Sequence, residues 1–129
     1  MKRLIFILVI LLNVSVVFAA EKEISFGWNQ EISIDFAGWK LYMSQSPNVQ
    51  PNPENLLETI AYNGEVQNQY TSNQVIIVPD KKISTYYFIL TAFDTHGNES
   101  GPSNEISCAF DFEAPTSPFS LVITVITVE

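Results

Sequence analysis

The segment TYYFILTAFDTHGNESGPSNEISC, from Thr85 to Cys108, contains the longest regular pattern in the chain. Aromatic, aliphatic and β-branched residues fill Tyr86 to Asp94, which is typical of a strand. Alternation assigns Tyr86, Phe88, Leu90 and Ala92 to a core, and Tyr87, Ile89, Thr91 and Phe93 to the outer face. Residues 95–98 (Thr-His-Gly-Asn) then predict a turn, and Ser103 to Phe110 predicts the next strand.

Similar short runs recur upstream, while helical periodicity is almost absent. Ile24 to Trp28 and Gly38 to Met43 both alternate, with Ile24, Phe26, Trp28, Trp39, Leu41 and Met43 pointing inward. Leu56 to Tyr62 predicts a shorter strand. Val75 to Val78 is a continuous apolar run, and its inward residues are not decided by the pattern. Together these segments predict an all-β sandwich.

Turn residues separate these strands. Pro47, Pro51 and Pro53 lie among polar residues, so this stretch is a loop and not a central strand. Asn63-Gly64 predicts a two-residue hairpin turn, because both residues tolerate positive φ. The returning strand would begin near Val66.

The first 19 residues have the features of a secretory signal peptide. Lys2 and Arg3 precede a short apolar stretch, and Val17-Phe18-Ala19 suits cleavage after Ala19. An uncleaved anchor is the alternative. The sequence therefore predicts a secreted, periplasmic or extracellular protein, with one domain over residues 20–112 and a linker with a C-terminal strand over 113–129.

The charge balance argues against several classes of partner. The formal net charge is −8. Removal of Lys2 and Arg3 leaves four Lys against fourteen Asp and Glu, and 4 − 14 = −10. Such a surface repels phosphate backbones and anionic lipid headgroups, so we expect neither nucleic-acid binding nor membrane insertion after cleavage.

Cys108 is the single cysteine, so the chain can form no internal disulfide. It alternates with Ile106 and Phe110 on one face of the predicted strand. We expect it to behave as a small buried hydrophobic residue, and an intermolecular disulfide is the alternative.

The segment from Thr85 to Cys108 resembles the last two strands of a fibronectin type III domain. The family has Tyr-x-Phe-x-aliphatic-x-Ala in strand F, a turn with Gly and Ser, and Ser-x-x-aliphatic at the start of strand G. Tyr86 matches the tyrosine-corner position, whose hydroxyl ties back to the preceding loop. Trp28 matches the core tryptophan of strand B, and Gly38 to Met43 matches strand C. The resemblance implies an immunoglobulin-like β-sandwich in a small exported protein of bacterial or prophage origin.

The chain departs from this pattern in two places. The loop before Tyr86, DKKIS, lacks the Pro-Gly-Thr spacing of the family. The resemblance also implies a proline-rich lead and a strand A before strand B, yet only Ala20 to Glu23 lie between the cleavage site and Ile24. Residues 115–125, PTSPFSLVITV, look like that missing opening. We therefore expect the C-terminal segment to fill the strand-A position through Leu121, Ile123 and Val125.

The sequence leaves open whether the C-terminal segment fills the strand-A position of its own molecule or of another. Residues 111–118 reach at most about 28 Å, so a return along the same molecule is possible but taut. Insertion into the next molecule needs no reversal and would give chains or rings. A loose tail and a different partner remain as further alternatives.

The sequence offers little chemistry. His96 is the single histidine, and no carboxylates are spaced with it for a zinc site. Phosphate-binding, nucleophile and metalloprotease motifs are absent from the sequence. A glycosidase pair among the acids and a calcium ion shared by Asp94 and Glu99 are minor alternatives. We therefore expect no catalytic residue, no cofactor and no metal.

Two non-catalytic functions fit these observations. The first is an exported binding or adhesion module that recognises a protein or carbohydrate surface, with Tyr42, Tyr87 and Phe93 as a candidate binding face. Ordinary cross-strand packing is the other explanation for these aromatic residues. The second function is a structural subunit that assembles head to tail by donating its C-terminal strand. The Arg-Gly-Asp turn of some animal members is absent, so integrin binding is not implied.

Overall fold

The computed structural model describes residues 19–79 and 82–122, and this part of the chain is all-β. The strands are Ala19–Trp28 (β1), Phe36–Ser44 (β2), Leu56–Ala61 (β3), Tyr70–Pro79 (β4), Ile83–Asp94 (β5) and Ile106–Asp111 (β6). A single 3-10 turn, Pro53–Asn55, precedes β3. Within the described ranges, no helix is long and apolar enough to cross a bilayer.

The strands form two packed antiparallel sheets, which makes the molecule a β-sandwich. One sheet contains β1 and β4, and the other has the order β3-β2-β5-β6. Both Ala19 and Asp111 lie at one pole of the sandwich, because Ala19 pairs with Pro79 at the end of β4 and Asp111 pairs with Ile83 at the start of β5. β1 therefore runs away from this pole and β6 runs toward it.

The core lies between the sheets and is built from alternate residues of both. Its buried members are Phe26, Leu41, Ile76, Val78, Tyr86 and Phe88. Phe26 of β1 meets Phe88 of β5 edge to face at 4.9 Å, and Tyr70 of β4 meets Trp39 of β2 at 4.7 Å. These contacts place β1 over β5 and β4 over β2. Trp28, Leu90 and Ala92, also expected in the core, are half-buried.

β1 is longer than its apolar pattern indicates. Pairing with β4 begins at Ala19, five residues before Ile24. Glu21 and Glu23 point to solvent and leave the alternation intact, because the sheet has one solvated face. The same alternation shows which residues of β4 face the core. Ile76 and Val78 are buried, while Val75 and Ile77 point outward.

The hairpin prediction at Asn63-Gly64 is wrong. β3 pairs with β2 and β4 pairs with β1, so the segment between β3 and β4 crosses from one sheet to the other. The local turn chemistry is present: Gly64 has φ of 86°, and the Glu65 N–H donates to the Asn63 side chain at 3.0 Å. A turn signal alone does not specify which strands pair, because that choice depends on distant apolar faces.

The tyrosine-corner hydroxyl reaches back to the preceding strand. Tyr86 Oη donates to the Ile77 carbonyl in β4, over a long 3.5 Å. The ring itself is buried in the core, so packing and not this weak hydrogen bond holds it.

The described part of the C-terminal segment, residues 112–122, contains no strand. Phe119, Leu121 and Val122 are exposed, and Leu121 is 96% exposed. Ile123 and Val125 lie outside the described residues. Leu121 therefore does not occupy the position beside β1 that the sequence predicts for it.

Candidate functional site

The open edge of β1 is the most distinctive surface feature of the sandwich. β1 pairs with β4 along one edge, and no other described strand pairs with it. Backbone N–H and C=O groups along a free edge are ready to pair with another extended segment. The edge is not protected by proline, since the sequence from Ala19 to Trp28 contains none.

An apolar cleft of about 110 Å³ runs beside this edge. Phe26, Gly27 and Trp28 line it from β1, while Leu90 and Ile106 line it from the facing sheet. No residue of β4 contributes, so the cleft lies on the unpaired side of β1. A cavity of roughly 150 Å³ lined by aliphatic residues holds a benzene-sized group, so this cleft accommodates about one aliphatic side chain.

The cleft exists because the two sheets differ in width. A two-stranded sheet packs over a four-stranded one, and no third strand beside β1 covers the inner face of β6 among the described elements. Ile106 is consequently 49% exposed, and Cys108 and Phe110 are only half-buried. Burial of such apolar area contributes about 25 cal/mol per Å², so this face favours an additional layer.

Aromatic residues pack outside the cleft, toward the pole that contains Asp111. Phe112 stacks on Phe110, and the Lys22 ammonium lies 4.9 Å from the centre of the Phe112 ring. The cleft lies farther along β1, where Phe26, Gly27 and Trp28 line it. A strand that enters the cleft would therefore lie beside this part of β1.

The candidate aromatic face is not a free surface. Tyr42 is 3% exposed and belongs to a second apolar cluster with Val49 and Ile89, against which Tyr87 packs. The expectation that Tyr42 faces a ligand is therefore wrong, because residues 45–52 fold back over the outer face of the sheet. Phe93 is half-buried, and the Lys40 ammonium lies 5.6 Å from the centre of its ring.

Glu99 fixes the segment between β5 and β6 on this outer face. It accepts hydrogen bonds from the hydroxyls of Tyr42 and Thr91, the latter at 2.6 Å, and from the Lys40 ammonium at 3.1 Å. Desolvation acts to raise the pKa of Glu99, but these hydrogen bonds outweigh it and hold the pKa below its ordinary value. Desolvation and the adjacent carboxylate of Glu99 raise the pKa of Tyr42 to about 12. This polar group stabilises the fold and points away from the cleft.

The alternative of a calcium ion shared by Asp94 and Glu99 is also wrong, because the Glu99 carboxylate points toward Tyr42. Asp94 instead comes close to Asp35 and His96, and one ligand atom from each lies within 4.8 Å of the others. The sequence spacing gave no sign of this group, since Asp35 arrives from the loop before β2.

Both carboxylates in this group already accept hydrogen bonds within the loops. Asp94 accepts from the backbone of His96 and Asn98 and from the Asn98 side-chain amide, and Asp35 accepts from Ser33. Asn98 donation is the main reason that the pKa of Asp94 is lowered. The arrangement accounts for the loop conformation without a metal ion.

Searches against models of known protein families, curated proteins and solved structures give no match to this chain. The candidate site therefore depends on the geometry of β1 and the cleft. Sequence reasoning did not name Phe26 or Ile106 as site residues. The missing strand A was the signal that could have found them, because it predicts an uncovered strip beside strand B.

Proposed function

We propose that this chain is an exported, non-catalytic binding module, and that it binds by accepting an extended segment along the open edge of β1. The observation that carries the proposal is the apolar cleft beside this unpaired edge. β-Strand addition needs both features, because main-chain pairing gives affinity and side-chain pockets give specificity.

The strand order supports a sandwich of the fibronectin type III kind in which no described strand takes the first position. β1 and β4 correspond to strands B and E of that family, and β3-β2-β5-β6 corresponds to the order C′-C-F-G. The predicted signal peptide supports export. The acidic composition favours a protein partner over nucleic acid, because a net negative surface repels phosphate groups.

Protein binding is favoured over carbohydrate adhesion by the nature of the cleft. Sugar sites commonly present exposed aromatic faces, but Tyr42 is buried and Tyr87 packs against its cluster. The cleft is lined by the aliphatic side chains of Leu41, Leu90 and Ile106. These residues suit an alternating aliphatic strand.

The proposal can be tested with the mature chain, residues 20–129, carrying Leu121→Asp, Ile123→Asp and Val125→Asp to disable its own C-terminal strand. A fluorescent peptide of residues 115–129 is the probe, and binding is followed by anisotropy. We expect saturable binding that Ile106→Asp weakens at least about tenfold. Val75→Asp is the matched control, because Val75 is a similarly exposed strand residue at 57% on the opposite surface of the β1–β4 sheet. Absence of saturable binding, or equal weakening by both substitutions, would overturn the proposal.

The second candidate function is a structural subunit that assembles by strand donation. The exposed apolar residues Phe119, Leu121 and Val122 favour it, because the described part of the tail is not packed on its own sandwich. The two functions use the same cleft and differ in the molecule that fills it.

A further inference from the structure

We infer that the segment accepted by β1 is residues 121–126 of a second copy of this chain, paired antiparallel to β1. This inference rests on the proposed function and names the partner of the same cleft. Its three supports are the direction in which the tail leaves the sandwich, the reach of the linker, and the match between the alternating tail and the residues of β1.

Direction favours a second copy. β6 runs toward the pole that contains Ala19 and Asp111, so the tail leaves each molecule there. Trp28, which lines the cleft, lies at the opposite pole. A tail that continues from one molecule into the Trp28 end of the next keeps its direction and runs antiparallel to β1 without a reversal.

The same antiparallel pairing within one molecule would need an almost fully extended linker. The steps from Asp111 to Leu121 reach at most about 35 Å at roughly 3.5 Å each. β1 has ten residues and spans about 30 Å from its first to its last Cα atom at roughly 3.3 Å per step. The linker would have to cover this length and also reverse before Leu121 could pair near Trp28. Pairing with the next molecule requires neither.

The tail also matches β1 in its alternation. Antiparallel pairing that places Leu121 opposite Trp28 brings Ile123 opposite Phe26 and Val125 opposite Ile24. Trp28, Phe26 and Ile24 are the residues of β1 that face the core, so three aliphatic side chains would enter the strip over β6. The remaining positions, Val122, Thr124 and Ile126, would join the solvated face beside Glu23 and Ser25.

Such a contact is heterologous, because the donor tail and the acceptor cleft are different surfaces. Each contact uses the tail of one molecule and the cleft of the next, so an open assembly always has one free tail and one free cleft at its ends. Assembly therefore produces open chains or closed rings. The tail therefore gives this small protein a way to polymerise.

The first experiment measures the mass of the mature chain by light scattering after size exclusion, over about a hundredfold concentration range. We expect the mean mass to rise at least about twofold with concentration. Leu121→Asp with Ile123→Asp and Val125→Asp should keep the protein monomeric. The matched control replaces Thr116, Ser117 and Ser120 with Asp, which adds the same charge before the strand and should preserve assembly.

The second experiment determines the direction of pairing by disulfide formation in a Cys108→Ser background. Two single-cysteine variants are mixed, one with Glu23→Cys and the other with Ile126→Cys. The antiparallel register brings these two positions together, so we expect a covalent dimer of unlike chains. The control pairs Glu23→Cys with Ser120→Cys, which the parallel register with Ile123 opposite Phe26 would bring together, and we expect at least about tenfold less dimer.

The outcomes separate this inference from the proposed function. If the peptide binds the cleft but the intact chain stays monomeric at every concentration, the second-copy inference fails and the binding module stands. If the parallel pair cross-links preferentially, the inferred direction is wrong. If assembly persists unchanged with Ile106→Asp, the cleft is not the acceptor and both proposals fail.

Discussion

At the scale of single residues, Glu99 is the polar group on which the outer face depends most. Its carboxylate accepts from Tyr42, Thr91 and Lys40 while its side chain is 26% exposed. Two of the donors are hydroxyls on neighbouring strands, and Glu99 itself belongs to the connection between β5 and β6. The Glu99 carboxylate therefore links the β5–β6 connection to the two central strands of the four-stranded sheet.

Glu99→Gln should lower the free energy of unfolding by about 2 kcal/mol, because hydrogen bonds to a charged acceptor contribute about 1.5–3 kcal/mol. The amide keeps the shape of the side chain but presents a donor where a hydroxyl now donates. Urea denaturation measures the effect. Glu58→Gln, at an exposed position of β3, is the control and should change stability by less than about 0.5 kcal/mol. Equal effects of the two substitutions would show that the Glu99 contacts contribute nothing.

The lowered pKa of Glu99 also predicts a loss of stability in acid. Folding favours the ionised form, so this contribution is complete above the unfolded-state pKa of about 4.5 and is lost as pH falls through the lower folded-state pKa. We expect the difference in unfolding free energy between the native chain and Glu99→Gln to shrink below about pH 4.5. Urea denaturation at a series of pH values measures it. A difference that stays constant down to pH values well below this range would contradict the assignment.

At the scale of elements, β2 is the strand that organises the larger sheet, since it pairs with both β3 and β5. The register with β5 shifts between Phe36 and Gly38, so the strand contains an irregularity there. Gly38 has φ of 156° and lies against the neighbouring backbone. A side chain at this position would push β3 away.

Gly38→Ala should destabilise the fold by more than about 2 kcal/mol, as expected for forced steric overlap within a packed sheet. A Cβ atom at this position would lie 2.2 Å from the Ile60 carbonyl oxygen, and backbone cannot yield as a flexible side chain does. Gly101→Ala is the control, because a Cβ atom at Gly101 would meet no other group within 4 Å. Thermal unfolding of both variants tests the prediction, and a similar melting temperature for the two would contradict it.

At the scale of the whole molecule, the two sheets are unequal, and this inequality produces the cleft. Among residues 19–79 and 82–122, no strand pairs with the second edge of β1, the inner face of β6 is incompletely covered, and the tail is exposed. A strand added beside β1 would pair with this edge and cover the inner face of β6. The proposed assembly would nevertheless bring together molecules of the same negative charge, because residues 20–129 contain four Lys and fourteen acids, a formal net charge of −10.

We therefore expect self-association of the mature chain to strengthen with ionic strength. Salt screens the repulsion between like-charged molecules, and the Debye length falls from about 30 Å at 0.01 M to about 8 Å at 0.15 M. Sedimentation velocity at fixed protein concentration measures the shift toward larger species. The variant with Asp at residues 121, 123 and 125 should remain monomeric at every salt concentration. Association that weakens as salt is added would indicate that ion pairs, and not the apolar strand, hold the copies together.

Alternation along Tyr86 to Asp94 and Gly38 to Met43 was enough to predict a β-sandwich, because it is a local property that does not depend on how the strands are arranged. The sequence also indicated that a strand was missing beside β1. Only the folded molecule reveals which strands pair, that Tyr42 is buried, and that Asp35, Asp94 and His96 come together. Each depends on which distant segments meet, and the energy that decides this comes from burying faces against one another. The cleft is the clearest example, because it is made by the unequal widths of two sheets and no single segment encodes it.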